Sequence, residues 1–245
     1  MSNNINQRLL WQIAILGVGL SACGTNTFTA AEKKDPAEIA TRSLENNKPQ
    51  DAIDGLEKAL SKDPANPCYL SILSSAYAQI VGIDPLTIAQ TMATASGTSN
   101  SVTGLFGVVP AATSNNLKVM QHAVDLLQSI PPAQRTTADN FKLALFLLAN
   151  ISLVAKHYDS LSKGKLTAAD LQALTPQDAI TILSNVSAAQ AVLASVTGQG
   201  ANSAQAAAQI AQVQSAIAAQ PGATPTDQLR NYLISTGNGD KAPAG

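Results

Sequence analysis

The chain has 245 residues, of which 45% are apolar and only 13% charged, with fifteen basic and sixteen acidic side chains and a net charge of -1. That length and apolar content support one large domain or two small ones around a real core. Charges without blocks of Lys or Arg exclude a phosphate-tracking surface, and 4% aromatic residues leave no base-stacking platform, so no nucleic-acid partner is expected.

Arg8 is the single charge in the first 31 residues. Leu9 to Leu20 follows as an apolar run of 12, interrupted once by Gln12. Roughly 20 apolar residues are needed to span a bilayer, so the run is too short for an anchor and reads as a secretion signal. Gly17-Val18-Gly19-Leu20-Ser21-Ala22 fits a dinucleotide fingerprint in letters only, because it lies inside that signal. Leu20-Ser21-Ala22-Cys23 resembles the bacterial lipobox at all four positions. The resemblance implies a signal peptide over residues 1–22, cleavage before Cys23, and covalent lipid of the palmitate type on its thiol and new amino group. Several acyl chains hold a protein firmly at a membrane. In the best-known sorting rule an Asp after the cysteine retains a lipoprotein in the inner membrane. Gly24 therefore points to the outer membrane of a Gram-negative-type cell envelope, with the protein facing the periplasm.

Residues 23–35 read as a flexible tether that lifts a domain clear of the headgroups. A single helical domain is expected over residues 36–236. Asp35-Pro36-Ala37-Glu38 supplies an N-cap, a first-turn proline and an early acid, and Asn47-Lys48-Pro49 breaks the helix it opens. Ala52, Ile53, Leu56, Ala59 and Leu60 then form a one-faced stripe. The stretch from Asp51 to Pro67 resembles the second helix of a tetratricopeptide (TPR) repeat, with Ala52, Leu56, Ala59 and Pro64 at the small-large-small-proline spacing. The first helix departs from that consensus at Pro36, Ile39, Ala40 and Ser43. Leu73 and Tyr77 fit the start of another repeat, displaced by one residue, with its partner helix opening at Asp84-Pro85. The fold class expected is all-α: TPR-like antiparallel hairpins over 36–92, continuing into an irregular helical bundle. About three units are needed for a stack to bury its core, so the following helices must complete it.

With Cys23 assigned to lipid, Cys68 is expected as a free thiol, a small hydrophobe at a helix start. Residues 93–116 form a Ser/Thr/Gly/Asn-rich insertion around the apolar island Leu105-Phe106-Gly107-Val108-Val109. Two readings stand for it: a lid or partner-binding flap, or an insert whose island packs on a neighbouring helix. A helix then carries Leu117, Met120, Ala123, Val124, Leu127 and Ile130 on one side. The next runs to about Tyr158. Its 13 uncharged residues between Lys142 and Lys156 mark it as central core rather than a membrane span. Thr167-Ala168-Ala169-Asp170 and Thr175-Pro176-Gln177-Asp178 open a short and a long helix. An Ala/Gln-rich helix spans Ala201 to Gln220, and a last short one covers 226–235. The bundle thus occupies 117–236, and residues 237–245 are expected to be disordered.

No chemistry-bearing constellation emerges. His122 and His157 lie on separate helices without a second ligand at helical spacing, there is no cysteine pair, and nothing stands near a serine to activate it. The expectation is therefore a non-enzyme without metal or cofactor beyond the lipid. The leading reading is a membrane-anchored scaffold binding a protein or peptide partner, with Tyr69, Tyr77 and Phe106 as candidate groove residues. Other TPR lipoproteins, in outer-membrane barrel assembly, pilus assembly and envelope maintenance, work this way. The chain also resembles the TPR-type lipoprotein partners of tripartite periplasmic transporters. That resemblance implies a small apolar ligand held by residues 105–109 and 143–155. A purely structural envelope role is the third reading.

Overall fold

Among the described residues, six of ten helices begin with a proline, whose missing N–H falls where a helix would leave that donor unpaired. A computed structural model describes residues 35–94, 105–159, 166–196 and 201–236. The helices are α1 (Pro36–Glu45), α2 (Pro49–Leu60), α3 (Pro67–Ile80), α4 (Pro85–Thr94), α5 (Ser114–Ser129), α6 (Thr137–His157), α7 (Ala168–Gln172), α8 (Pro176–Val196), α9 (Ala201–Ala218) and α10 (Pro225–Thr236). Short 3-10 turns lie at Leu105–Gly107 and Pro132–Gln134. Among the described residues there is no strand, and the fold is all-α. The signal peptide, Cys23, the tether up to residue 34, residues 95–104 of the insertion and the tail from 237 lie outside the described residues.

Helix starts are written locally. Asp35 Oδ1 accepts from Ala37 N at 2.9 Å, and Asn66 Oδ1 accepts from Cys68 N and Tyr69 N. The pattern Thr-x-x-Asp recurs at Thr136/Asp139, Thr167/Asp170, Thr175/Asp178 and Thr224/Asp227. In each, the Asp backbone N–H donates to the Thr hydroxyl and that hydroxyl donates to the carboxylate. One such cap contributes about 1 kcal/mol. Asn47 (φ 56) and Gly82 (φ +80) close α1 and α3 in the left-handed region. Beyond them, Lys48 N reaches Ser43 O at 2.8 Å and Ile83 N reaches Ala78 O at 2.9 Å, pairing carbonyls the helix ends would orphan.

Packing follows chain order with one departure. α1 packs on α2, α2 on α3, and α1 also reaches α3. The partner of α3, however, is α5 rather than α4, which corrects the pairing expected from the adjacent Pro85 helix. The reason is the second face of α3. Ser74 is small there, so α5 comes close enough for Ser74 Oγ to donate to Ala123 O at 2.6 Å. α4 turns away and sends Ile88 into the main core against α6 and the 105–107 turn.

α6 is the centre. Every residue from Leu143 to Ala155 is buried, as the uncharged run predicts. By length and composition this helix is apolar enough to cross a membrane, yet 78% of that stretch is buried inside the protein. It packs on α5, α8, α4 and the apolar island. Leu105 and Val109 are buried against it, Lys156 Nζ donates to Val109 O at 2.8 Å, and His157 Nδ1 sits 3.0 Å from Ala112 O. The island is thus a packed plug, the second of the two readings. At the same C-terminal end Tyr158 donates to Asp178, fastening α6 to the start of α8. A smaller core of Ala40, Ala52, Ile53, Leu56, Leu73 and Ala76 sits under the first hairpin.

Candidate functional site

Among the described residues the first hairpin is the end of the helix succession. The exposed side of α1 and the first turn of α2 enclose an open groove of about 200 Å³, lined by Glu38, Ile39, Arg42, Asn46, Lys48 and Asp51. Ile39 is 48% exposed at its edge. Arg42 Nη2 bridges Glu38 Oε1 at 2.7 Å, one turn away on α1. Both groups face solvent, so the pair contributes a few tenths of a kcal/mol and is easily rearranged. Asn46 Nδ2 donates to Arg42 O at 2.8 Å and ties the end of the helix. Residues 35–66 carry seven acidic against four basic side chains, an excess that Asp51, Asp54 and Glu57 continue along the exposed face of α2.

Tyr69 and Tyr77 both pack against the small core under this hairpin and keep part of their surface exposed. Tyr69 Oη lies 3.5 Å from Asp35 Oδ1, and partial burial, reinforced by that carboxylate, raises its pKa. Tyr77 Oη donates to Glu57 Oε1 at 2.6 Å, and its ring meets His122 edge to face at 4.7 Å. Burial, then the Glu57 hydrogen bond, pushes its pKa up to about 12. A phenol serves here as an apolar ring with one polar tip, bridging helices. Phe106 belongs to the 3-10 turn against α6 and α4, and its side chain lies outside the described residues. The structure therefore brings Tyr69 and Tyr77 to one hairpin and places the Phe106 backbone elsewhere.

Cys68 is disulfide-bonded, which corrects the expectation of a free thiol. The expectation followed from reserving the Cys23 sulfur for lipid. Cys23 is the other cysteine of the chain and lies outside the described residues.

A polar cluster joins α3 to α6 that no local pattern announces. Ser71 Oγ donates to Asp139 Oδ1, and Lys142 Nζ donates to Ser71 Oγ at 2.8 Å and to Ser71 O at 3.1 Å. Ser71 and Asp139 are buried, whereas Lys142 is half-buried as a residue. Burial lowers the Lys142 pKa to about 8, with the Asp139 charge countering part of the effect. Ser71 spends its proton on Asp139 and a lone pair on Lys142 at 7% exposure, an arrangement of a clamp rather than of a presented nucleophile. Among the described residues no three His, Cys, Asp or Glu side chains converge on a metal-sized site. His122 meets Tyr77 edge to face, and His157 meets a backbone carbonyl.

No family model, no curated protein and no solved structure matches this chain.

Proposed function

We propose that the protein is a lipid-anchored helical scaffold of the bacterial cell envelope, tethered at Cys23 and facing the periplasm, that binds a protein or peptide partner on its first hairpin. The observation that carries the reading is that, among the described residues, no element packs on the outer side of α1. α1, α2, α3 and α5 pack in succession, and the outer side of α1 retains a groove with a half-exposed isoleucine. The acidic excess of residues 35–66 suits a partner segment of net positive charge laid beside Ile39. The lipobox supports the anchor. A sulfur carrying lipid has no valence left for a disulfide, so anchoring also requires Cys23 to stay out of any such bond.

The test is site-specific photo-crosslinking in intact envelopes, with the probe at Ile39 or at Ile180, an isoleucine 57% exposed on α8. One discrete adduct at Ile39, lost when Glu38 and Asp51 are both changed to Lys and absent at Ile180, is expected. Equal labelling at the two positions rules the hairpin out as the binding surface.

A further inference from the structure

Cys68 is fixed in the first turn of α3, where its backbone N–H donates to Asn66 Oδ1 at 3.1 Å. Its sulfur is disulfide-bonded, and the residue is half-buried. The chain has two cysteines, so within one molecule the partner available to Cys68 is Cys23. The described residues leave that pairing within easy reach. The chain enters the helical domain at Asp35, whose carboxylate caps α1 and lies 3.5 Å from the hydroxyl of Tyr69, the residue after Cys68. The point of entry and Cys68 therefore stand at the same end of the first helices. Residues 24–34 connect Cys23 to Asp35. At about 3.5 Å per residue a segment of that length covers up to roughly 40 Å, so no helix has to move for the two sulfurs to meet. A secretion signal delivers the chain to an oxidising compartment, where disulfides form and persist.

The lipobox claims the same sulfur. We propose that a Cys23–Cys68 disulfide and lipid on Cys23 are alternative states of one atom, so that Cys68 makes anchoring depend on thiol redox state. The inference rests on the lipid-anchor reading of Cys23. Oxidation joins the two sulfurs: each thiol gives up a hydrogen, the S–S bond forms, and two electrons and two protons pass to an acceptor disulfide, which becomes a dithiol. In that state Cys23 offers no thiol, and the chain keeps its first 22 residues. A reducing dithiol reverses the exchange and restores both thiols. Lipid attachment then forms a C–S bond. The Cys23 sulfur loses its proton and takes a diacylglyceryl group, and the phospholipid headgroup leaves with its phosphate. A thioether takes no part in thiol–disulfide exchange, so the choice between the two states is made once, before lipid arrives. The first hairpin's groove plays no part in that choice.

The experiment uses the full chain in growing cells. Radiolabelled palmitate is supplied together with dithiodipyridine, an acceptor disulfide, or with dithiothreitol, to cells making the unmodified chain or Cys68→Ala. The protein is isolated with its thiols blocked and digested without reduction. Under the oxidant the unmodified chain should lose its label, stay at full length, and yield one linked peptide pair joining Cys23 to Cys68. Under dithiothreitol the label should return and the pair should vanish. Cys68→Ala should be labelled equally in both conditions, which separates the switch from any action of the oxidant on the attaching enzyme. Should that variant fail to fold, the label and the linked pair of the unmodified chain decide alone. Labelling that ignores the oxidant, equal loss of label in Cys68→Ala, or a Cys68–Cys68 dimer in place of the internal pair overturns the switch and leaves the anchor standing. Absence of label from both chains in both conditions overturns anchor and switch together.

Discussion

Ser74 Oγ, fully buried on α3, donates a 2.6 Å hydrogen bond to the backbone carbonyl of Ala123 on α5. The bond measures how closely two helices approach that are separated in sequence by α4 and the apolar island. A larger side chain at position 74 cannot occupy that space without moving one helix. Ser74→Leu should cost about 1–3 kcal/mol by overpacking, whereas Ser74→Ala should cost about 1 kcal/mol or less, since Ala123 O also serves its own helix. Urea unfolding followed by circular dichroism reads both. A Leu variant as stable as the parent would mean that α3 and α5 are not in contact.

Leu56 and Ile39 lie on the two sides of the first hairpin and should behave in opposite ways. Leu56 is fully buried in the small core. Truncation to Ala should cost about 2–5 kcal/mol, the range for a buried leucine that leaves a cavity. Ile39→Ala should cost under about 0.5 kcal/mol, because the side chain is 48% exposed. The crosslinking partner should be weakened by Ile39→Ala at unchanged stability. A severe loss of stability at Ile39 would mean that the groove is covered by the protein itself.

How far the sequence foretold this molecule depends on the range of the interaction. The start of α1 was legible because Asp35, Pro36 and Ala37 are adjacent, and the burial of α6 because 13 successive residues carry no charge. The partner of α3 was not legible. Ser74 is a polar residue that serves here by being small, and α4 is nearer in the chain than α5. The clamp was hidden for the same reason: Asp139 reads as a helix cap, which it is, and its second oxygen serves a residue 68 positions away. The groove beside Ile39 lies on a helix whose departure from the repeat consensus was visible without its meaning. Cys68 was misread because its state depends on the fate of another sulfur.

All four tyrosines have raised pKa values, each chiefly through burial. Tyr77 goes furthest, to about 12 from 10.0, with Glu57 adding to the effect. A raised value in the folded state means that the neutral phenol is the favoured form there. The stabilisation is complete below pH 10 and is lost as pH climbs toward 12. Phenolate absorbance of the native protein should therefore develop later than that of the urea-unfolded chain. Tyr77→Phe should remove the latest-titrating component, and Glu57→Gln should move it to lower pH. Coincident native and unfolded curves would mean that the phenols are fully hydrated.

The anchor rests on one residue and has a chemical signature. If Cys23 receives lipid, cells fed radiolabelled palmitate should yield a labelled, membrane-bound protein shortened by its first 22 residues. Cys23→Ala removes the only atom on which the first acyl-bearing group can be placed, and processing before that position depends on the modification. The variant should accumulate as an unlabelled precursor at full length. Cys68→Ala serves as the control, because it leaves the lipobox intact and removes the disulfide partner from α3. It should be labelled and processed normally, because lipid attachment at Cys23 needs no sulfur at position 68. Normal cleavage of Cys23→Ala would show instead that residues 1–22 form an ordinary secretion signal. The scaffold would then be released into the periplasm, and its groove would meet partners there rather than at a membrane surface.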